Sequence, residues 1–169
     1  MTIFVYFLIL DIMYKQLLTK YKCVPGKRFA YNSASGVITY VPKDLGKVRG
    51  NMALLHEIAH AKLGHKTYKY DLELLKMEED AWNEVKNDSK KYTILIDEEH
   101  IEECLSTYRE WISKRSSCPK CKFFGKQMNS QIFHCKSCKT EWKVNNLKDK
   151  RVMRKIITPT SSTCTKKGA

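Results

Sequence analysis

The 169-residue sequence lacks an apolar run that is long enough to cross a bilayer. Its most apolar stretch, residues 2–10, is much shorter than the roughly 20 residues that a membrane-spanning helix needs. The stretch also lacks the positively charged start and the small-residue cleavage site of a secretory signal peptide. These absences predict a cytoplasmic protein without a transmembrane segment. For residues 1–12 three interpretations stay open: a buried strand, a weak membrane-surface anchor, or a start assigned too early, with translation beginning at Met13.

Acidic residues are scarce at the C-terminal end of the chain. Residues 114–169 contain 15 Lys and Arg but only two acidic residues, so they account for the whole net charge of +13. Residues 1–113 contain 16 basic and 16 acidic residues and are neutral. A basic end favours polyanions such as nucleic acid, with a solubilising tail as the alternative. We expect residues 147–169, which are basic and then rich in Ser and Thr without apolar periodicity, to form a disordered tail.

The seven cysteines do not have the arrangement of a disulfide framework. Four of them form two Cys-x-x-Cys pairs that thirteen residues separate, namely Cys118, Cys121, Cys135 and Cys138. Such paired turns are typical of a four-thiolate zinc site, which agrees with a reducing cytoplasm. The spacing predicts a structural zinc ion in a zinc ribbon over residues 114–146, a module too small to fold without its metal.

A second metal-binding pattern, H-E-x-x-H, consists of His56, Glu57 and His60. Residues four apart share one face of a helix, so the two imidazoles can bind one zinc ion, with Glu57 beside them as a general base. The predicted helix over residues 45–63 is apolar nearly all round in its second half, and we therefore expect it to be buried. The alternative is a pair of core histidines that hydrogen bonds satisfy.

A third ligand is predicted from the helical stretch over residues 70–87. On a wheel of 100° per residue, apolar side chains surround Glu78, whereas Glu79 lies at the edge of the apolar stripe and Asp80 points away. A carboxylate in the middle of an apolar face is costly unless it is paired or binds a metal. We therefore expect Glu78 to complete a catalytic zinc site, with Glu79 as the fallback. A buried ion pair between Glu78 and Arg49 is the alternative.

The remaining patterns predict a small α+β domain over residues 13–113. We expect four further elements: a short helix over 13–22, a hairpin over 28–41, a β-like run over 92–96, and a helix that begins after an Asp97 N-cap and ends near Ser113. A short sheet directly before an H-E-x-x-H helix is the layout of a minimal zincin-like fold, whose edge strand can pair with an extended peptide. The zinc ribbon follows this domain.

Three features together resemble the ImmA/IrrE-type zinc metallopeptidases of the gluzincin group. They are the run HEIAHAKLGH over residues 56–65, the hairpin before it, and Glu-x-x-Ala over residues 78–81. The resemblance covers roughly residues 28–88. It implies a zincin-like fold with three zinc ligands and one catalytic base, here His56, His60 and Glu78 with Glu57.

One position departs from this family. Directly after Glu-x-x-Ala the family tends to have Asn, and related gluzincins have Asp, but this sequence has Trp82. That position often steadies a metal ligand, so we expect the surroundings of the ligands to differ there. A zincin followed by a ribbon also resembles the SprT-like proteases that act on DNA-bound proteins. Those proteases use a third histidine further along, which has no match here, and His65 points away from the site if the helix continues. The metzincin spacing does not fit either.

The sequence therefore predicts a zinc-dependent metallopeptidase that hydrolyses peptide bonds of a protein substrate with a zinc-activated water and Glu57 as general base. Tyr68, Tyr70 and His100 are candidates for stabilising the oxyanion. The alternative is a non-proteolytic, nucleic-acid-associated regulatory protein that uses the ribbon and the basic tail.

Overall fold

The computed structural model of the protein describes residues 14–148 and 150–157. These residues form four α-helices and two small sheets, of three and four strands, which confirms the predicted α+β class. They fall into two compact units that divide after Tyr108. Residues 1–12 and 158–169 lie outside the described residues, and so do the interpretations given for them. Within the described ranges, no helix is both long and apolar enough to span a bilayer.

The sheet of the first unit is built on the predicted hairpin. A first helix, α1, covers residues 14–20 and is followed by three strands: β1 (Cys23–Pro25), β2 (Ala30–Asn32) and β3 (Val37–Tyr40). Strand β3 is central, pairing antiparallel with β2 and parallel with β1. The Asn32 carboxamide oxygen accepts hydrogen bonds from the N–H groups of Ala34 and Ser35, at 3.0 and 3.1 Å, and so closes the hairpin turn. Strand β2 therefore lies at an edge of the sheet.

Three long helices follow the sheet. After a 3₁₀ turn they are α2 (Val48–Lys62), α3 (Asp71–Tyr92) and α4 (Glu98–Ser116). Helix α2 begins three residues later than predicted because the 3₁₀ turn Pro42–Asp44 occupies the chain before it. Its apolar residues are buried on both sides, as expected from the sequence. The core that it shares with the sheet and α3 includes Ile38, Met52, Leu55, Ile58 and Val85.

The β-like run predicted over residues 92–96 is wrong. Helix α3 continues to Tyr92, and Thr93 ends it with a left-handed conformation at φ 54°. Ile94 then packs into the core without forming a strand. The apolar character of Ile94 thus reflects burial in the core rather than pairing in a sheet. The N-cap prediction is confirmed, because a carboxylate oxygen of Asp97 accepts a hydrogen bond from the His100 N–H at 2.9 Å.

The second unit contains an antiparallel sheet in the order β4-β5-β6-β7. The strands are β4 (Lys126–Gln127), β5 (Ile132–His134), β6 (Glu141–Val144) and β7 (Arg154–Ile156). Phe133 and Trp142 stack on one face at a ring distance of 5.6 Å. The prediction of disorder is wrong for β7, which pairs with β6 in register. Its three exposed residues have no periodicity of their own, and the partner strand supplies their hydrogen bonds.

A glycine in the first turn of α2 allows this helix to lie in close contact with the preceding 3₁₀ turn. Gly50 is buried, and a Cβ atom there would lie 1.9 Å from the carbonyl oxygen of Asp44. We expect Gly50→Ala to lower the free energy of unfolding by about 1–3 kcal/mol, because the overlap outweighs the better helix propensity of Ala. Urea denaturation measures this. Val48→Ala, at a partly exposed position in the same turn, serves as the control. A Gly50→Ala variant more stable than the wild type would contradict the expectation.

Candidate metal centres

The structure brings His56, His60 and Glu78 together. Helix α2 presents the two histidines one turn apart, and α3 carries the carboxylate to them. The His56 Nε2 atom lies 3.1 Å from both His60 Nε2 and Glu78 Oε2, and His60 Nε2 lies 3.8 Å from Glu78 Oε2. All three side chains are about nine-tenths buried. Three donor atoms so close together could hold a metal ion.

The electrostatics of this cluster keep Glu78 ionised. Burial by itself would raise the pKa of Glu78, but hydrogen bonds from the two imidazoles hold that pKa well below its usual range. The Tyr108 hydroxyl also bonds to Glu78, and burial together with the carboxylate charge raises the pKa of Tyr108 far above normal. Tyr108 thus stays protonated and donates. An anionic carboxylate beside two imidazoles is the protonation state that binds a cation.

The alternative partner for Glu78 is engaged elsewhere. Arg49 Nε lies 2.9 Å from a carboxylate oxygen of Asp97, and Arg49 Nη1 lies 3.4 Å from Glu103. The ion pair between Arg49 and Glu78 that the sequence left open is therefore not formed. Glu79, the fallback ligand, is not part of the three-donor group.

His65 lies beside His60 and not away from it. Helix α2 ends at Lys62, and Gly64 turns the chain back with a φ of 66°. The His65 N–H donates to the His60 carbonyl at 3.0 Å, and the two Nδ1 atoms lie 2.8 Å apart. With its Nε2 atom on a metal, His60 would donate Nδ1–H to His65, an outer hydrogen bond that fixes a ligand ring. The sequence missed this contact because a continued helix would point His65 away, whereas the left-handed turn at Gly64 returns it to His60.

His56 is held differently. The Trp82 ring packs on the His56 ring at a centroid distance of 4.1 Å and an interplanar angle of 33°. The buried His56 Nδ1 atom has no hydrogen-bond partner among the described residues. Position 82 thus supplies an aromatic contact to His56. Packing, and not an outer hydrogen bond, sets the orientation of His56.

Glu57 faces an open cleft of about 280 Å³. Its carboxylate accepts a 2.7 Å hydrogen bond from the Tyr31 N–H in edge strand β2. The cleft is lined by the histidine pair and Glu78, by residues of β2, and by Tyr68 and Tyr108. Of the three predicted oxyanion donors only Tyr68 lines it, while Tyr70 and His100 do not. Tyr108 was missed because its helical spacing resembles that of a core residue. The signal that could have found it is the need of a buried hydroxyl for a partner.

The four paired cysteines form a second candidate centre. Cys118 Sγ lies 3.6 Å from Cys138 Sγ, and Cys121 Sγ lies 3.5 Å from Cys135 Sγ. All four sulfurs lie within 4.8 Å of one another. These distances are far longer than the roughly 2.05 Å of a disulfide bond. The cluster is therefore one of free thiols that could hold a metal ion.

The two halves of this centre have the same local structure. In each Cys-x-x-Cys turn the first cysteine accepts a backbone hydrogen bond from the residue four positions later, at 3.0 Å. The residues that donate are Lys122 and Lys139, both left-handed with φ near 60°. The Thr140 hydroxyl lies 3.1 Å from Cys138 Sγ and lowers the pKa of that thiol to about 6. The backbone thus preforms the thiol cluster.

The ligand assignment can be tested by metal content. We expect Glu78→Gln to lose the metal of the first centre while it keeps that of the thiol cluster, because it removes one anionic donor. Its affinity for added Zn²⁺ should fall by more than the roughly 10- to 100-fold that an outer-shell change costs. Glu79→Gln, the adjacent acid, is the matched control and should bind as the wild type does. Equal zinc content in both variants would remove Glu78 from the centre.

The ring contact makes a separate prediction. Trp82→Ala removes the packing that orients His56, so we expect zinc affinity at the first centre to fall about 10- to 100-fold. Trp82→Phe keeps a ring against the imidazole and should recover most of the affinity. Competition with a fluorescent chelator measures both. A Trp82→Ala variant with unchanged affinity would show that the ring contact has no part in metal binding.

Comparison with known proteins gives no match. No family model matches the chain, and neither a curated protein nor a solved structure is similar to it. Its function is therefore argued from the geometry of the two centres.

Proposed function

We propose that the first unit is a zinc-dependent peptidase of zincin-like fold. One observation carries the proposal: two helical histidines and a buried glutamate converge in a cleft where Glu57 meets an edge strand. Two imidazoles and one carboxylate are a donor set of catalytic zinc sites, in which three protein ligands leave a fourth position open.

The donor separations support zinc as the metal. Ligands about 2.0–2.2 Å from a tetrahedral zinc ion lie roughly 3.3–3.6 Å from one another. The three observed separations of 3.1, 3.1 and 3.8 Å bracket this range. Small side-chain movements would therefore bring His56, His60 and Glu78 to bonding distance. The ionised state of Glu78 supplies one negative charge to the cation.

In the proposed reaction Glu57 handles the proton. Zinc in this site would polarise the substrate carbonyl and lower the pKa of the attacking water. A carboxylate oxygen of Glu57 accepts the proton of that water and then passes it to the leaving amine nitrogen. Before substrate binds, the hydrogen bond from the Tyr31 N–H holds the Glu57 carboxylate at the cleft. Tyr68 lines the cleft, and its phenolic O–H can donate to the developing oxyanion, whereas the Tyr108 O–H is engaged with Glu78.

An extended polypeptide is the proposed substrate. Within the part of the chain that the structure describes, strand β2 pairs only with β3, which leaves its other edge available for a further strand. Tyr31 lies opposite Ile38 and donates its N–H away from β3, towards the cleft. A peptide that adds to this edge would form main-chain hydrogen bonds beside the metal ligands. The thiol cluster of the second unit is proposed to hold a separate, structural zinc ion.

Glu57→Gln tests the mechanism. We expect the variant to lose about 10²- to 10⁴-fold in cleavage rate, because Gln cannot accept the proton, while it retains both zinc ions. The assay follows release of labelled peptides from casein and from a library of unfolded peptides. Glu79→Gln serves as the control. Wild-type cleavage by Glu57→Gln would refute this mechanism.

Metal analysis separates the peptidase from the alternative of a non-proteolytic binding protein. The peptidase predicts two zinc ions per chain, one of which can be removed with loss of cleavage but without loss of fold. A single ion that stays with the thiol cluster, together with an absence of cleavage, would favour the binding protein. Mass spectrometry under native conditions, before and after mild chelation, distinguishes the two.

A further inference from the structure

One face of the sheet in the second unit carries exposed lysines. Phe133 and Trp142 are register partners and are buried on the inner face. Side chains alternate along a strand, so the residues between them point to the outer face. On that face Lys143 of β6 lies directly opposite Lys155 of β7, and Lys126 of β4 lies in the neighbouring row. All three lysines are exposed.

These positive charges are not neutralised within the described part of the chain. Like charges directly opposite one another on neighbouring strands destabilise a sheet, as Lys143 and Lys155 must. The acidic residue of the face, Glu141, lies 3.4 Å from His134 and forms no ion pair with a lysine among the described residues. No ion pair between these three lysines and a carboxylate is formed among residues 14–148 and 150–157. This arrangement of lysines destabilises the sheet in the absence of a ligand and favours the binding of an anion.

An exposed aromatic ring lies on the same face. A Cβ atom at Gly125 would lie 2.2 Å from the Trp142 ring, so position 125 faces inward. Alternation then places Phe124 and Lys126 on the outer face. Phe124 is 68% exposed, although its backbone is fixed by a bridge to Ser117. The bridge holds the backbone of Phe124, and its exposed phenyl ring lies on the same face as the lysines. The ring therefore offers a surface on which an aromatic ligand can stack.

We infer that this outer face binds single-stranded nucleic acid, with a base stacked on Phe124 and backbone phosphates on Lys126, Lys143 and Lys155. Aromatic rings and a basic surface are the two elements with which proteins bind single strands without sequence preference. In a duplex the bases are stacked on one another, so the phenyl ring would gain nothing. An acidic polypeptide would use the lysines but not the ring. The inference does not depend on chemistry at the first centre.

Fluorescence anisotropy with the full-length, zinc-loaded protein tests the inference. The probes are a labelled oligothymidylate of about 15 nucleotides, a duplex of the same length and a polyglutamate peptide. We expect Phe124→Ala to weaken binding of the single strand roughly 5- to 150-fold, with Phe124→Trp restoring it. Lys143→Ala should reduce the magnitude of the slope of log K against log salt concentration by about 0.7, because one phosphate contact is lost. The matched controls are Lys136→Ala in the second Cys-x-x-Cys turn and Leu147→Ala outside the strands, and both should have smaller effects.

Three outcomes would overturn the inference. They are unchanged binding by Phe124→Ala, equal affinity for the duplex, and equal affinity for polyglutamate. Zinc content and circular dichroism show whether each variant is folded. If Phe124→Ala loses zinc, the surface double variant Lys143→Glu, Lys155→Glu decides instead, because neither side chain contacts the thiol cluster. Retained single-strand binding by this double variant would equally refute the proposed face.

Discussion

The first unit depends on the packing of α2 against α3, which buries an ionised carboxylate between two imidazoles. Burial of such a charge is costly, but hydrogen bonds from the two imidazoles outweigh that cost, since they hold the pKa of Glu78 well below its usual range. The same packing leaves the buried Nδ1 atom of His56 without a hydrogen bond. A cation at the three donor atoms would compensate the charge directly. A metal ion bound there is therefore expected to add to the stability of a unit that is already folded.

The two imidazoles are held by different forces. His60 meets His65 through a polar contact of 2.8 Å, whereas His56 rests against the Trp82 ring. A hydrogen bond that a ligand ring donates to an outer acceptor both fixes the ring and raises its basicity, but an aromatic contact only restricts its position. Trp82 thus restricts the position of one ligand ring without a hydrogen bond to it. The sequence identified that position as the departure but not how the protein compensates.

Features that repeat at short range were predictable from the sequence. The spacing of His56 and His60, the wheel position of Glu78 and the paired cysteines all depend on local periodicity or spacing. His65 and Tyr108 were not predicted. The first depends on the left-handed turn at Gly64 that follows α2, and the second on a helix that returns to Glu78 from far along the chain. Strands β1 and β7 were not predicted, for a related reason. Three residues are too few to show an alternating apolar pattern, and each strand forms only because a partner strand is present.

The edge strand links substrate binding to the general base in the proposed peptidase. In the structure the outward N–H of Tyr31 donates to Glu57, at 2.7 Å. A peptide that pairs with β2 needs that same N–H as a main-chain donor. Since one N–H forms one strong hydrogen bond, pairing of the substrate would release the Glu57 carboxylate. Binding of a peptide at the edge would thus free a Glu57 carboxylate oxygen to accept the proton of the attacking water.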